Sequence, residues 1–155
     1  MSIRSRDIPP RLWARMTAPL SPTGPAPESF TIILPLPPKS LSPNSRSHWR
    51  AKARDTSNYR KVAAYRVVLA LGGQRPLWQS ATILAQFYHA QARRRDDDNL
   101  IASLKSARDG LVDAGLLADD VGLTTLPIRR GIDRNNPRVE LTITKTGDAT
   151  CHETK

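Results

Sequence analysis

Ala81-Thr-Ile-Leu-Ala-Gln-Phe-Tyr-His89 is followed, three residues later, by Arg93-Arg94-Arg95-Asp96-Asp97-Asp98-Asn99-Leu100. The first run is rich in apolar, β-branched and aromatic residues and predicts a strand. Beyond the charged loop, Leu100, Leu104, Ala107, Leu111 and Ala114 recur at i, i+4, i+7, i+11 and i+14. That spacing predicts a helix from about Asn99 to Ala114, closed by Gly115. A strand, a charged loop and a helix in succession are the unit around which the rest of the domain is read.

Working outward, Phe30-Thr31-Ile32-Ile33-Leu34 predicts a first strand, halted by Pro35, Pro37 and Pro38. A Ser/Asn/Pro loop follows. Asp55-Thr56-Ser57 offers N-cap chemistry for a helix over Tyr59 to Leu71 that stops at Gly72-Gly73. Two further strands are expected near Leu123 to Arg129 and Arg138 to Lys145. In the last, Val139, Leu141 and Ile143 share one face and Glu140, Thr142 and Thr144 the other. The order β-α-β-α-β-β predicts an α+β domain with two helices packed on a small mixed sheet. Residues 1–29 hold six of the 13 prolines and are expected to form a disordered arm. The domain then spans 30–145, and 146–155 is a polar tail.

The chain has 155 residues, enough for one modest core. Lys and Arg number 24 against 14 acids, a net charge of +10, which makes nucleic acid the default partner. No apolar run approaches the roughly 18 residues of a membrane span, and no secretory h-region is visible. Cys151 is the single cysteine, so no internal disulfide exists, and His48, His89 and His152 lack zinc-ligand spacing. A cytoplasmic location and no membrane partner are expected.

Seven of the 14 acids lie between Asp96 and Asp120. Carboxylates gathered in a basic chain, with Arg93, Arg94 and Arg95 beside them, match a hard cation meeting a phosphodiester. In an extended segment Asp96 and Asp98 face one side and Asp97 the other. Asp98 also suits the N-cap of the following helix. Asp119-Asp120 would join them only if the chain returns along a helix of roughly 24 Å; otherwise it is a polar turn. Lys105 lies two turns beyond Asp98, placed either to neutralise a phosphate or to pair with Asp109. Arg46, Arg50, Lys52 and Arg54, interleaved with His48, Trp49 and Tyr59, suggest backbone contacts with stacking on an unpaired base. They also suit a solvated helix face.

Leu34-Pro35-Leu36-Pro37-Pro38-Lys39-Ser40 with Asn44, then Arg95-Asp96-Asp97-Asp98-Asn99-Leu100, Lys105, Asp109, Leu111, Ala114-Gly115 and Asp119-Asp120, resembles the RusA-type crossover junction endodeoxyribonucleases. The likeness covers about residues 30 to 145. It implies a RusA-like fold and a homodimer of phage or prophage origin. The implied activity is hydrolysis of four-way (Holliday) junctions in DNA recombination and repair, with Mg²⁺, or Mn²⁺ in its place. By motif, Asp96, Asp98 and Asp120 would be metal ligands and Lys105 a catalytic lysine. In shorter members the lysine follows the second aspartate by about one turn; here Ala102 holds that place, and Lys105 corresponds through an extra turn. Arg46, Arg50, Lys52, Arg54 and Arg93 to Arg95 would contact branched DNA. The rival expectation is a non-enzymatic DNA-binding or phage regulatory protein whose carboxylates merely cap and turn.

Overall fold

Apolar side chains alternate along two central strands, and two helical arms cover the face they form. The computed structural model describes residues 25–147. The arm expected over 1–29 is described only from 25, and its last residues are not disordered, since Glu28 C=O accepts from Lys145 N–H at 2.7 Å and Ser29 opens a strand. Residues 1–24 and the tail with Cys151 and His152 fall outside the described residues. The strands are β1 (Ser29–Leu34), β2 (Ala81–His89), β3 (Leu123–Thr125), β4 (Arg129–Ile132) and β5 (Arg138–Lys145). The helices are α1 (Trp49–Ala70), α2 (Asp97–Ser103) and α3 (Lys105–Asp113). The sheet runs β1-β5-β2-β3, with β4 also on β2. The β1–β5 and β5–β2 ladders are antiparallel, while β3 and β4 run parallel to β2, so the sheet is mixed. The protein is a single small α+β domain with helices on a mixed sheet.

Ala81, Ile83, Ala85 and Phe87 of β2 and Val139, Leu141 and Ile143 of β5 are buried on one face, with Ile32 and Leu34 of β1 beside them. Against this face lie Tyr59, Ala63, Ala64 and Val67 of α1 and Ala107 and Leu111 of α3. The opposite face carries hydroxyl pairs, Ser29–Thr144 and Thr31–Thr142, each at 2.9 Å. The alternation expected for β5 holds residue by residue, and β2 and β5 have the bounds read from the sequence.

Three local expectations are corrected. The first helix starts ten residues before Tyr59, at Trp49, with His48 Nδ1 accepting from Arg50 N–H as the cap. Residues 50–54 are good helix formers. Asp55 caps nothing: it accepts from Ser40 Oγ at 2.6 Å and ties the 3₁₀ turn Lys39–Leu41 to α1. The second helix is broken at Leu104 (φ −87°, ψ −3°) into α2 and α3. Just before the break Ser103 Oγ donates to Leu100 C=O at 2.6 Å, a local bond that bends helices. Its apolar face survives, with Leu104, Ala107, Leu111 and Ala114 all buried. Gly115, at φ +76°, ends it as expected. The strand expected over Leu123 to Arg129 is two short strands. Pro127 between them has no N–H to donate, and Leu126 N–H reaches Ile83 C=O at 2.8 Å just before it.

Candidate nucleic-acid and cation site

The three consecutive aspartates have different environments, set by where α2 begins. Asp96, not Asp98, is its N-cap, at φ −79° and ψ 132°, and Asp96 C=O accepts from Leu100 N–H at 3.2 Å. The Asp96 side chain makes no capping bond. Its carboxylate receives only a long contact, 3.5 Å, from Asn99 Nδ2, and Asn99 Oδ1 in turn receives Asn44 Nδ2 at 3.5 Å. Asp97 turns toward β4, where its Oδ1 lies 3.2 Å from Arg130 Nη2. The same guanidinium donates through Nη1 to Arg95 C=O at 2.9 Å. Asp98 stands in the first turn of α2, exposed and without a hydrogen-bond or ion-pair partner among the described residues. Capping therefore does not account for either Asp96 or Asp98.

Asp119 and Asp120 lie elsewhere. Because β3 is parallel to β2 and Leu123 pairs with Ala81, the Asp119-Asp120 turn precedes β3 at the start of β2. Asp96 follows the end of β2. Strand β2 has nine residues, so the ends from which the two loops depart are roughly 26 Å apart at about 3.3 Å per residue. Asp119 accepts from Val121 N–H, and hydrogen bonding to the Asp120 side chain and to Val121 holds its carboxyl below the usual carboxylate range. The three-carboxylate group expected from the sequence is not assembled: among the described residues no three His, Cys, Asp or Glu side chains gather to hold a metal. Asp97 and Asp98 are already helical, so the extended segment expected to turn Asp96 and Asp98 to one side does not form. What remains is two exposed carboxylates two residues apart at the start of α2. Their donor chemistry fits Mg²⁺, which is held through one or two carboxylates and keeps water and substrate phosphates as its other ligands.

Lys105 opens α3 immediately after the break, so the uninterrupted two-turn reach toward Asp98 does not exist. It is exposed and lines a cavity of about 380 Å³ with Lys52, Thr56 and Asp109. The basic residues Arg46, Arg50, Lys52 and Arg54 are all exposed around the start of α1. Trp49 is 67% exposed, stacked on His48 with the Arg50 guanidinium 5.1 Å from its ring centre. Tyr59 is not available to stack on a base: it is buried in the core, and its hydroxyl donates to Pro35 C=O at 2.8 Å. Burial pushes that hydroxyl's pKa up. Arg60 is also occupied, joining α1 to α3 through a two-point pair with Asp113.

Two residues that sequence reasoning missed border the acidic loop. Arg130 lies one residue beyond the single strand expected there, and nothing in the sequence couples it to Asp97. His89 was legible in principle: alternation from Phe87 places it on the buried face, where the two rings stack at 6.0 Å.

A protein of Xylella fastidiosa (strain Temecula1 / ATCC 700964), named only as an uncharacterized protein, is 37% identical over 122 residues, covering 74% of this chain and 75% of that one. This chain belongs to that protein's family. No protein-family model matches the sequence. No helix among the described residues is long and apolar enough to cross a membrane.

Proposed function

We propose that this chain is a metal-dependent, structure-selective endodeoxyribonuclease of the RusA type. In this reading it acts in the cytoplasm as a homodimer on four-way DNA junctions. The observation that carries the reading is the division of labour among the aspartates. Asp97 is neutralised by Arg130, while Asp96 and Asp98 stay exposed and uncommitted beside three arginines. Two bare carboxylates in a chain of net charge +10 are a cation site with a polyanion partner. Asp96 and Asp98 would hold Mg²⁺ or Mn²⁺, which when bound polarises a phosphodiester and lowers the pKa of its water. The chain's own part is positional. Arg93 and Arg94 contact the DNA backbone from the loop, and Arg46, Arg50, Lys52 and Arg54 contact it from the start of α1. Lys105 lies near enough to that basic face to meet a flanking phosphate. Two symmetric nicks would need two copies of the site, hence the homodimer.

A labelled four-way junction and a matched linear duplex, each with Mg²⁺ or EDTA, test the reading. Paired, metal-dependent nicks in the junction alone are expected, lost in the Asp96→Asn and Asp98→Asn variants while junction binding is retained. Cleavage undiminished in both variants would remove the site.

One observation favours a second reading, a DNA-binding protein without catalysis: Asp120 stands at the far end of β2 from the pair. Junction shifted but uncut under every metal condition is its expected result. Asp120→Asn separates the two-carboxylate site from one that recruits the distant turn, since only the latter loses cleavage with it.

A further inference from the structure

The C-terminal end of β2 borders a cavity that neither Asp96 nor Asp98 lines. Its walls are His89, the loop from Gln91 to Arg95, and Arg130 to Ile132, and its volume is about 430 Å³. Small-ligand sites occupy roughly 300–1,000 Å³. Four arginines, Arg93, Arg94, Arg95 and Arg130, line it, and no carboxylate does. The nearest counter-charge, Asp97, engages only one amino group of Arg130, and the other is held by Arg95 C=O. That grip fixes the guanidinium at the cavity wall, so little freedom remains to be lost when an anion arrives.

The second observation is His89. The residue borders the cavity, only 9% of it is exposed, and Nε2 is buried with no hydrogen-bond partner among the described residues. A buried polar atom without a partner costs about 1–3 kcal/mol, and an absent water or ion is a common reason for one. Arg95 Nη1 also donates to the Gln91 and Arg93 carbonyls at 3.4 and 3.3 Å, which holds its guanidinium in the loop. An unpaired imidazole nitrogen in a wall shared with such arginines is an arrangement an oxyanion completes.

We propose that this cavity binds a phosphate group, with Arg95 and Arg130 supplying the charge, Arg93 and Arg94 the rim, and His89 the polar wall. The proposal needs the nuclease reading only if the phosphate is one of a DNA backbone. In that case the cavity seats a neighbour of the phosphate held at Asp96 and Asp98. Residues Arg130 and His89 come from β4 and β2, so the site is built on sheet as well as loop.

His89 reports on occupancy. Burial first, then the charges of Arg95 and Arg130, lower its pKa below the usual histidine value. An anion that offsets those two charges raises it again. The full-length chain, labelled at its imidazoles and kept in EDTA, is titrated by NMR with inorganic phosphate, beside chloride at equal ionic strength. The His89 signals are expected to move saturably with phosphate and not with chloride. Arg130→Gln is expected to weaken phosphate binding by about tenfold, the loss of one hydrogen bond to a charged group. Arg93→Gln, at an exposed position whose side chain has no hydrogen-bond or ion-pair partner among the described residues, weakens it less and guards against a folding defect in the first variant. A short single-stranded oligonucleotide that displaces phosphate assigns the site to a nucleic-acid backbone. Phosphate binding without such displacement assigns it to a free phosphate or mononucleotide. Unmoved His89 signals, equal response to chloride, or both variants binding like the parent chain would overturn the proposal. With no metal present and no cleavage read, the two readings fail separately. A chain that binds phosphate here but cuts nothing loses only the nuclease reading, and a junction-cutting chain with an inert His89 loses only this one.

Discussion

Replacing Gly110 with alanine tests the seam between α1 and α3, on which the placement of Lys105 and Asp109 against the basic end of α1 depends. A Cβ built on Gly110 lies 2.4 Å from Arg60 C=O, 3.0 Å from Ala63 Cβ and 3.1 Å from Ala64 N. The first and third of these are backbone atoms of α1, so no side chain can swing aside. Restoring an ordinary contact of 3.4 Å to the carbonyl requires the helices to part by about 1 Å. A gap of 0.5–1 Å forfeits roughly a quarter to a half of each dispersion contact it opens. The contacts at stake include Tyr59, Ala63, Ala64 and Val67 against Ala107 and Leu111, all buried. Overpacking of this kind costs about 1–3 kcal/mol. Against it stands the gain of about 1 kcal/mol for alanine over glycine inside a helix. The expected outcome of Gly110→Ala is a net loss of up to about 2 kcal/mol, seen as a lower urea midpoint with an unchanged slope. The Arg60–Asp113 pair across the same seam should loosen with it. A gain of about 1 kcal/mol, the full helix preference for alanine, would refute the reasoning, because it would mean that the helices separate at no cost.

Two further outcomes follow from charge. His89 has its folded-state pKa lowered by burial, Arg95 and Arg130, so the unfolded chain takes up its proton first as pH falls. Its contribution is fully present above the unfolded value of about 6.5 and is lost as pH drops from there through the folded value. Thermal melts should therefore show falling stability below about pH 6.5, and His89→Phe should remove that part of the slope; an unchanged slope would count against the burial reading. Asp113 has its folded pKa depressed by the hydrogen bond from Arg60, so its contribution is present above the ordinary carboxylate range and disappears on acidification through the folded pKa. Both side chains are more than 40% exposed. Asp113→Asn should cost roughly 0.2–1 kcal/mol at neutral pH and converge with the parent chain in acid, as measured by denaturant titration.

The alternation of β2 and β5, the apolar face from Leu104 to Ala114, the stop at Gly115 and the concentration of charge in the loop after His89 were all legible in the order of residues alone. These are local properties: a period of two or 3.6, or a glycine where the chain must turn left-handed, is written in adjacent residues. The misread start of α1 at Asp55 shows the limit, since that carboxylate is spent on Ser40, fifteen residues away in the chain. The fate of the aspartates was decided only by tertiary structure. Whether Asp120 joins Asp96 and Asp98 depends on the direction of β3 beside β2, and a parallel ladder puts the two loops at opposite ends of the strand. The pairing of Asp97 with Arg130, and the cavity that His89 shares with four arginines, likewise depend on β4 continuing along the edge of β2 past Pro127. Charge in a loop is visible in the sequence; its partners are set by which strand edge lies alongside, a long-range pairing that no local pattern encodes.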